Sequence, residues 1–404
     1  MNRVQNDVLE LTKQLIAMQS HKLCEGREAA IGRFLVEWFT ERGIEAELQP
    51  VVDGRSNVIA RIPGGDGPSV MLCGHLDTVP AGDMADAFAP RMEEGVLRGR
   101  GACDMKGAVA AMCCAIAARA AENAERSLGD DEAESTLGGL AGDLVFLGTV
   151  DEETGGLGVQ AAMDSGLRTD FAIVGEPTNL RVTIAHKGAC FVRITLTGRG
   201  AHGSCPEEGV SAVSHAARIV RAIEEELRPK LANCTHALLG CSTVNVGRVS
   251  GGTQPNIVAE HCEIDIDRRT VPGDGDPVTE LKGLVSGICD GVEGLSFDVA
   301  EMPMTSVVPH TALETQENSP LAQAAMAACR EAGLPADPVG VTYWTDGGHL
   351  AANGIETIIL GPGDIADAHG PRDRVREDHL TIAVALYRAA ISALRNRTPP
   401  SALT

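Results

Sequence analysis

The stretch from Val70 to Pro80 contains the first residues whose types and spacing could do chemistry. An apolar run enters it, His75 and Asp77 follow two positions apart, and Thr78 begins a segment that stops regular structure. Alternate residues of a β-strand point to the same side, so His75 and Asp77 share a face. A carboxylate beside an imidazole can hold the ring in one tautomer, as a metal site requires. The alternative is a polar strand end that simply turns into a loop.

Other short apolar runs also end in acidic or histidine residues, and helix-like segments separate several of them. Such runs are typical of a parallel sheet that is covered on both faces, where ligands bind at the carboxyl ends of the strands. Asp104 follows a glycine-rich turn and precedes an Ala-rich helix, where its alternative role is an N-cap. The candidates predicted to gather at one sheet edge are His75, Asp104, Glu153, Glu176 and His369, with Glu152 beside Glu153.

Two imidazoles and three carboxylates form a donor set that suits zinc, cobalt or manganese. Five ligands are too many for one open tetrahedral zinc, but they suit two ions if one carboxylate bridges. Two metals about 3.5–4 Å apart can activate water and polarise a carbonyl. Neighbouring side chains in a loop point in different directions, so one of Glu152 and Glu153 can ligate while the other acts as general base. The alternative for these consecutive acids is a solvated turn.

Length and composition restrict the class of protein. The 404 residues predict two to three domains, and the 44% hydrophobic content can form a real core. A net charge of −22 argues against nucleic-acid and anionic-membrane partners. The 12 cysteines form no CxxC pair, and we find neither a signal-peptide core nor a membrane-length apolar run, so we expect a reduced, cytoplasmic protein. A nucleotide enzyme is disfavoured because neither GxGxxG after a strand nor a P-loop occurs.

In the segment from about residue 181 to 303, the predicted order of strands and helices differs from that of the preceding residues. Its order of strand, helix, strand, strand, helix, strand predicts a ferredoxin-like βαββαβ unit. The predicted elements are strand Val182–Gly198, helix Glu208–Leu227, strands Cys241–Gly251 and Ala259–Val271, helix Asp276–Asp290, and strand Leu295–Glu301. We therefore predict an α/β fold with a parallel-rich mixed sheet in residues 1–181 and 304–404, and an inserted domain at 182–303. Residues 127–142 are acidic, Gly-rich and aperiodic, which predicts a surface loop.

Several sequence strings, in order from about residue 5 to 390, resemble one known family. They are GHLDTVP, GRGACDMKG, GTVDEETGG, VGEPT, HKG, GRGAHGS and AHGPRDRV. The chain resembles the acetylornithine deacetylase, succinyl-diaminopimelate desuccinylase and carboxypeptidase G family of co-catalytic zinc metallohydrolases. The resemblance implies a zinc-peptidase-like α/β domain and an inserted ferredoxin-like domain that also dimerises, and hence a homodimer.

The resemblance also implies roles for matching residues in the large domain. His75 and Glu176 would bind one metal ion, Glu153 and His369 the other, and Asp104 would bridge. Glu152 would be the general base, Asp77 would orient the His75 ring, and the Asp104–Met105 peptide would be cis. Two divalent ions are implied, with Zn²⁺ as the first expectation and Co²⁺ or Mn²⁺ as alternatives.

Further roles fall on the inserted domain and on the segment after it. His202 matches the histidine that stabilises a developing oxyanion in the family. Asn256 and Arg269 resemble residues that hold a substrate carboxylate, with Arg268 as the rival to Arg269. Alternation along a strand allows only one of these two arginines to point inward. The string YWTDGGH, residues 343–349, lies where the family lines its substrate pocket.

The predicted activity is a two-metal amidohydrolase that removes the acyl group from an N-acyl amino acid. The expected partner is a small N-acyl amino acid or short peptide with a free carboxylate. The alternative activity is a dipeptidase or carboxypeptidase, because relatives with different substrates share one metal site. From another class, the chain could be a catalytically silent metal-binding or dimerisation scaffold.

Overall fold

The computed structural model describes residues 3–127, 142–233, 235–302 and 310–394. The chain forms two compact units. The large unit comprises residues 1–185, 314–340 and 345–404, and the small unit comprises residues 186–313 and 341–344. Almost all of the surface loop predicted at 127–142 lies outside the described residues.

The elements follow one another along the chain in three stretches. The first contains α1 Arg3–Ala17, α2 Ala29–Thr40, β1 Glu45–Val52, β2 Arg55–Ile62, β3 Val70–His75, β4 Arg91–Glu93, β5 Val96–Arg98, α3 Gly107–Ser127, β6 Leu144–Thr149, α4 Leu157–Asp164, β7 Phe171–Val174 and β8 Thr183–His186. The second contains β9 Gly188–Thr197, α5 Ala212–Ala222, α6 Arg228–Ala232, β10 Thr235–His236, β11 Gly240–Cys241, β12 Thr243–Gly251, β13 His261–Thr270, α7 Pro277–Cys289 and β14 Ser296–Glu301. The third contains β15 Leu313–Glu314, α8 Pro320–Glu331, β16 Val339–Val341, α9 Asp346–Ala352, β17 Glu356–Ile359, β18 Arg374–Arg376 and α10 Glu377–Leu394.

The large sheet confirms the predicted α/β class with mixed strand directions. Its order is β1-β2-β6-β3-β7-β17-β8-β15, with β16 also pairing with β8. The neighbours β6, β3, β7 and β17 run parallel, whereas β1 and β2 pair antiparallel with their neighbours and β8 pairs antiparallel with β17. The carboxyl ends of four adjacent parallel strands therefore meet at one edge, where the loops that follow them can share a site.

Helices cover both faces of these central strands, which explains their continuous apolar sequences. Every residue of β3, from Val70 to His75, is buried. Leu72 packs into a cluster with residues of α1, α2, α3, α8 and α10. On the opposite face, α9 contacts β7 and β17, and Val174 lies beside the helix. Among the described helices, none is long and apolar enough to cross a membrane.

The small unit has the predicted βαββαβ order. Its four main strands form an antiparallel sheet in the order β12-β13-β9-β14. Apolar residues alternate along β9 and β13, and those on the inner face, such as Ile194 and Ile264, pack with Ile219 of α5 and Val285 of α7 in one core. The helix α7 begins as expected, because the Asp276 side chain accepts the N–H groups of Val278 and Thr279.

One predicted element is wrong. The single strand expected at Val182–Gly198 is divided into β8, which belongs to the large sheet, and β9, which belongs to the small one. The division falls at Lys187, whose N–H donates to the Val341 carbonyl. An apolar alternation looks the same in either sheet, so the sequence pattern could not show the change of sheet.

Candidate active site

The large unit brings the predicted residues to the carboxyl edge of its parallel strands. His75 is the last residue of β3, and Glu152 and Glu153 lie in the turn after β6. Glu176 follows β7, and His369 lies in the loop that follows β17. Asp104 comes from the turn before α3, and the Asp104–Met105 peptide is cis, as the resemblance implies.

Asp104 lies between the two histidines and contacts both. Its Oδ1 is 2.9 Å from Nε2 of His75, and its Oδ2 is 3.0 Å from Nε2 of His369. Glu176 extends the first pair, with Oε1 3.6 Å from His75 Nε2, and Glu153 extends the second, with Oε2 3.0 Å from His369 Nε2. One carboxylate with an imidazole on each oxygen is the arrangement that a bridging ligand between two cations requires.

The charges of this cluster fit divalent cations. Burial raises the pKa of Glu152 and of Glu176 well above the usual range, and neighbouring carboxylates raise both further. Burial lowers the pKa of His75, but the Asp104 hydrogen bond and nearby acids outweigh it, so the pKa lies well above its usual value. Hydrogen bonds to Asp104 and Glu153 raise the pKa of His369 to about 10. The cluster therefore holds an excess of buried carboxyl groups, whose charge divalent cations would balance, and its imidazole nitrogens and carboxylate oxygens are donor atoms of the kind that zinc binds.

Glu152 and Glu153 are consecutive but point to different parts of the cluster. Glu152 Oε2 lies 4.0 Å from His75 Nε2, whereas Glu153 Oε2 lies 3.0 Å from His369 Nε2. Oε1 of Glu153 also accepts the N–H of Val79 at 3.2 Å. This divergence is what the predicted division into one general base and one metal ligand requires.

Comparison with known proteins assigns the chain to a family. The model of Peptidase family M20/M25/M40 matches residues 71–393. The chain belongs to this family. Acetylornithine deacetylase of Proteus mirabilis (strain HI4320) is 31% identical to it over 382 residues, which are 90% of each protein. Acetylornithine deacetylase of Photorhabdus laumondii subsp. laumondii is 29% identical over 386 residues, which are 90% of this chain and 91% of that protein.

A solved structure shows the same fold. Aminopeptidase PepT from Bacillus cereus ATCC 10987 has a TM-score of 0.76 and 21% sequence identity, with 96% of this chain and 98% of that chain covered. Membership of the M20/M25/M40 family confirms the predicted resemblance and identifies the chain as a metal-dependent hydrolase of amide bonds.

The backbone and the side chain of Asp77 make separate contacts around His75 and the acidic turn. Nδ1 of His75 lies 3.0 Å from the backbone carbonyl oxygen of Asp77 and 3.7 Å from the carboxylate. The carboxylate instead accepts the N–H groups of Glu152 at 3.2 Å and Glu153 at 3.0 Å. Burial raises the pKa of Asp77 to about 7. Asp77 therefore orients the His75 ring through its backbone and supports the acidic turn through its side chain.

We expect Asp77→Ala to lower kcat/KM by about 10–100-fold, the usual loss when a supporting residue of a metal site is removed. The His75 ring keeps its backbone acceptor, while the two N–H groups of the acidic turn lose theirs. Steady-state kinetics and a Co²⁺ titration would measure the effect. Metal affinity and turnover equal to those of the wild type would show that the carboxylate is dispensable.

Buried residues that the sequence did not single out support the same cluster. The Asp373 carboxylate accepts hydrogen bonds from Arg100 and from the backbone N–H of Gly101 and Cys103. It thereby holds the turn that carries Asp104. Arg100 and Asp373 are 273 positions apart in the chain, and both lie inside sequence strings that match the family. Their charge was visible in the sequence, but their pairing was not.

Asp346 is the second addition to the acidic cluster. It is 1% exposed on α9, and the Thr149 hydroxyl donates to its Oδ2 at 2.7 Å. Thr149 pairs with His75 in the register of β3 and β6. Burial raises the pKa of Asp346 to about 6, and it lowers the pKa of the nearby buried His349 to about 4. Within the string of residues 343–349, Asp346 thus bonds to a residue that is paired with His75.

The remaining predicted residues lie in the small unit. His202 is exposed, and its Nδ1 lies 2.7 Å from the Ser204 hydroxyl. The Asn256 carbonyl accepts the N–H of Gly203 at 2.7 Å, so His202 and Asn256 are neighbours.

The structure separates the two rival arginines on β13. Arg268 is 1% exposed and donates to the Thr243 carbonyl and to Glu280. Arg269 lies on the opposite face of the strand, partly exposed, and donates to Asp267. Arg268 is therefore committed to internal contacts, and Arg269 is the more accessible guanidinium.

Proposed function

We propose that the protein is a two-metal hydrolase that removes the acyl group from an N-acyl amino acid, with Zn²⁺ as the expected ion and Co²⁺ or Mn²⁺ as alternatives. The observation that carries the proposal is the Asp104 carboxylate, with one oxygen 2.9 Å from His75 and the other 3.0 Å from His369. Acetylornithine deacetylases as relatives support deacylation over peptide cleavage.

The proposed ligands divide between two ions. His75 and Glu176 would hold one, Glu153 and His369 the other, and Asp104 would contact both. When bound, such ions polarise the amide carbonyl and lower the pKa of water. Residues of the chain then do the proton chemistry and the positioning.

Glu152 is the proposed general base. It takes a proton from the attacking water and returns it to the leaving amine, a role that requires a carboxyl close to the reacting atoms. Burial raises the pKa of Glu152, so the group binds a proton more readily than an exposed carboxylate does. His202 is proposed to stabilise the oxyanion, and Asn256 and Arg269 to bind the substrate carboxylate.

We expect chelator-sensitive hydrolysis of at least one N-acyl amino acid. N-acetyl, N-succinyl and N-formyl amino acids would be screened in parallel with dipeptides, each with Zn²⁺ or Co²⁺. EDTA should abolish the activity, and readdition of the ion should restore it, because the buried acidic cluster needs cations to act.

Each other outcome of the screen has a defined meaning. Cleavage of dipeptides alone would replace the proposed deacylase by the peptidase alternative. Binding of two ions without hydrolysis of any compound would contradict both and would favour the silent scaffold. Hydrolysis that survives removal of all metal would contradict the metal-based proposal itself.

The domain roles and the setting of the protein belong to the same proposal. Residues 1–181 and 304–404 would form the catalytic domain, and residues 182–303 a lid that also forms a homodimer. Exposed apolar side chains in the small unit support the dimer, namely Val213, Leu238, Val249 and Ile257. Sedimentation of the purified protein as a monomer would contradict it.

Among the described residues, 11 cysteines are free and seven of these are buried, which supports a reduced, cytoplasmic setting.

A further inference from the structure

The turn that carries Glu152 and Glu153 begins with a residue in a rare backbone conformation. Asp151 has a φ of 70°, in the left-handed region that residues other than glycine seldom adopt. Its carbonyl accepts the N–H groups of Gly155 and Gly156, each at 2.7 Å, which closes the turn. The directions of the next two side chains therefore depend on how firmly Asp151 is held.

A buried ion-pair network holds Asp151. Arg55, at the start of β2, donates from Nη1 to Asp151 Oδ1 at 2.7 Å. The same guanidinium donates to both carboxylate oxygens of Glu28, which precedes α2. Arg55 is 6% exposed, Asp151 4% and Glu28 1%. Only the planar fork of an arginine can serve two carboxylates in this way, because a lysine ammonium is a single point of charge.

Asn57, the residue two positions after Arg55 on the same strand, fixes both ends of the turn. Its Oδ1 accepts the N–H of Val150 at 3.1 Å, and its Nδ2 donates to the Gly158 carbonyl at 2.8 Å. Asn57 holds the ends of the turn and Asp77 holds two of its peptide N–H groups, and the Asp151 side chain is a further anchor of the turn. Arg55 sets that anchor.

We propose that Arg55, oriented by Glu28, is a positioning residue that directs Glu152 toward His75 and Glu153 toward His369. The inference rests on the proposed function for the roles of those two glutamates. Arg55 acts through Asp151, since its hydrogen bonds go to Glu28 and Asp151. The competing view is that the network only stabilises the packing of α2 against β2.

Substitution of Arg55 separates the two views. In Arg55→Lys the charge remains but the fork is lost, and we expect kcat to fall by about 10–100-fold with KM little changed. Titration with Co²⁺ should show one ion bound as in the wild type and the second bound at least about tenfold more weakly, because Glu153 is misdirected. Arg55→Ala should show larger losses of both kinds.

Chemical rescue adds a readout that a purely structural role would not produce. A cavity of about 50 Å³, lined by Arg55, Glu28 and Thr154 among others, lies beside the network, and removal of the Arg55 side chain would enlarge it. Guanidinium at millimolar concentration should restore part of the kcat and of the second Co²⁺ affinity in Arg55→Ala. If Arg55→Ala does not fold, Arg55→Lys and Asp151→Asn still test the inference, since asparagine tolerates the left-handed region but carries no charge.

Leu35→Ala is the matched control. Leu35 is buried on α2, the helix that Glu28 precedes, and it has no polar side-chain atom to hold the turn. The control should lower the melting temperature while kcat and the binding of two Co²⁺ ions stay as in the wild type. If the Arg55 variants lose only melting temperature in the same way, the positioning role is refuted. If the wild type hydrolyses none of the tested compounds, the proposed function fails, and the Co²⁺ titration alone decides the role of Arg55.

Discussion

Glu152→Gln is expected to lower kcat by about 10²–10⁴-fold, the range that general acid–base catalysis contributes. Glutamine keeps the shape of the side chain, but its amide cannot take up a proton from water and return it to the leaving amine. Glu152 stands 4.0 Å from the nearest ring nitrogen of His75, farther than Asp104 at 2.9 Å. Because Glu152 is not one of the five proposed ligands, the variant should keep both metal ions. Turnover of the best N-acyl substrate and metal analysis of the same sample would measure the two effects.

Glu47→Gln is the control for this substitution, because Glu47 is an exposed acid on β1. It removes one carboxylate without touching the cluster and should leave kcat unchanged. Near wild-type turnover in Glu152→Gln would show that the base is another residue. Asp346, which is buried and has a pKa raised by burial to about 6, would then be the next candidate.

Asp104→Asn is expected to have the second large effect, the loss of paired metal binding. The two oxygens of Asp104 lie 2.9 Å and 3.0 Å from the Nε2 atoms of His75 and His369. An asparagine offers one oxygen and one NH₂ group, so it can serve as a ligand on one side only. We expect the metal content to fall from two ions per chain to one or none. Turnover should fall by more than the about 10–100-fold that is usual for a residue outside the ligand set.

Metal analysis after dialysis, together with Co²⁺ titration, would measure the loss in Asp104→Asn. Asp164→Asn provides the control, because Asp164 is an exposed acid at the end of α4 and should retain two ions. Retention of two ions with wild-type affinity in Asp104→Asn would contradict the bridging role and would leave the two histidines with separate sites.

The central strands could be predicted because burial leaves a direct mark on the sequence. β3, β6 and β7 are covered on both faces, so each appears as a continuous apolar run that stops where the chain leaves the sheet. Parallel strands place their carboxyl ends at one edge, and this rule by itself groups His75 with Glu176.

The change of sheet near Lys187 could not be predicted for a related reason. Apolar alternation reports that one face of a strand is buried, and it does not report which sheet buries it. β8 and β9 therefore looked like one strand, although they belong to different sheets. The side-chain partners of the site were equally hidden, since Arg55 is 27 positions from Glu28 and 96 from Asp151.

The sequence by itself determined which residues stand at the strand ends and which donor types they offer. Residue type and burial periodicity are local properties, and they predicted the histidines and carboxylates of the site, the cis peptide after Asp104 through the family resemblance, and the βαββαβ order of the small unit. The tertiary structure alone decided which atoms meet. It placed Asp104 between two imidazoles, turned the Asp77 carboxylate toward the acidic turn, and set Asp151 in its left-handed conformation. These contacts join segments far apart in the chain, so they depend on strand order and loop path, which local patterns do not specify.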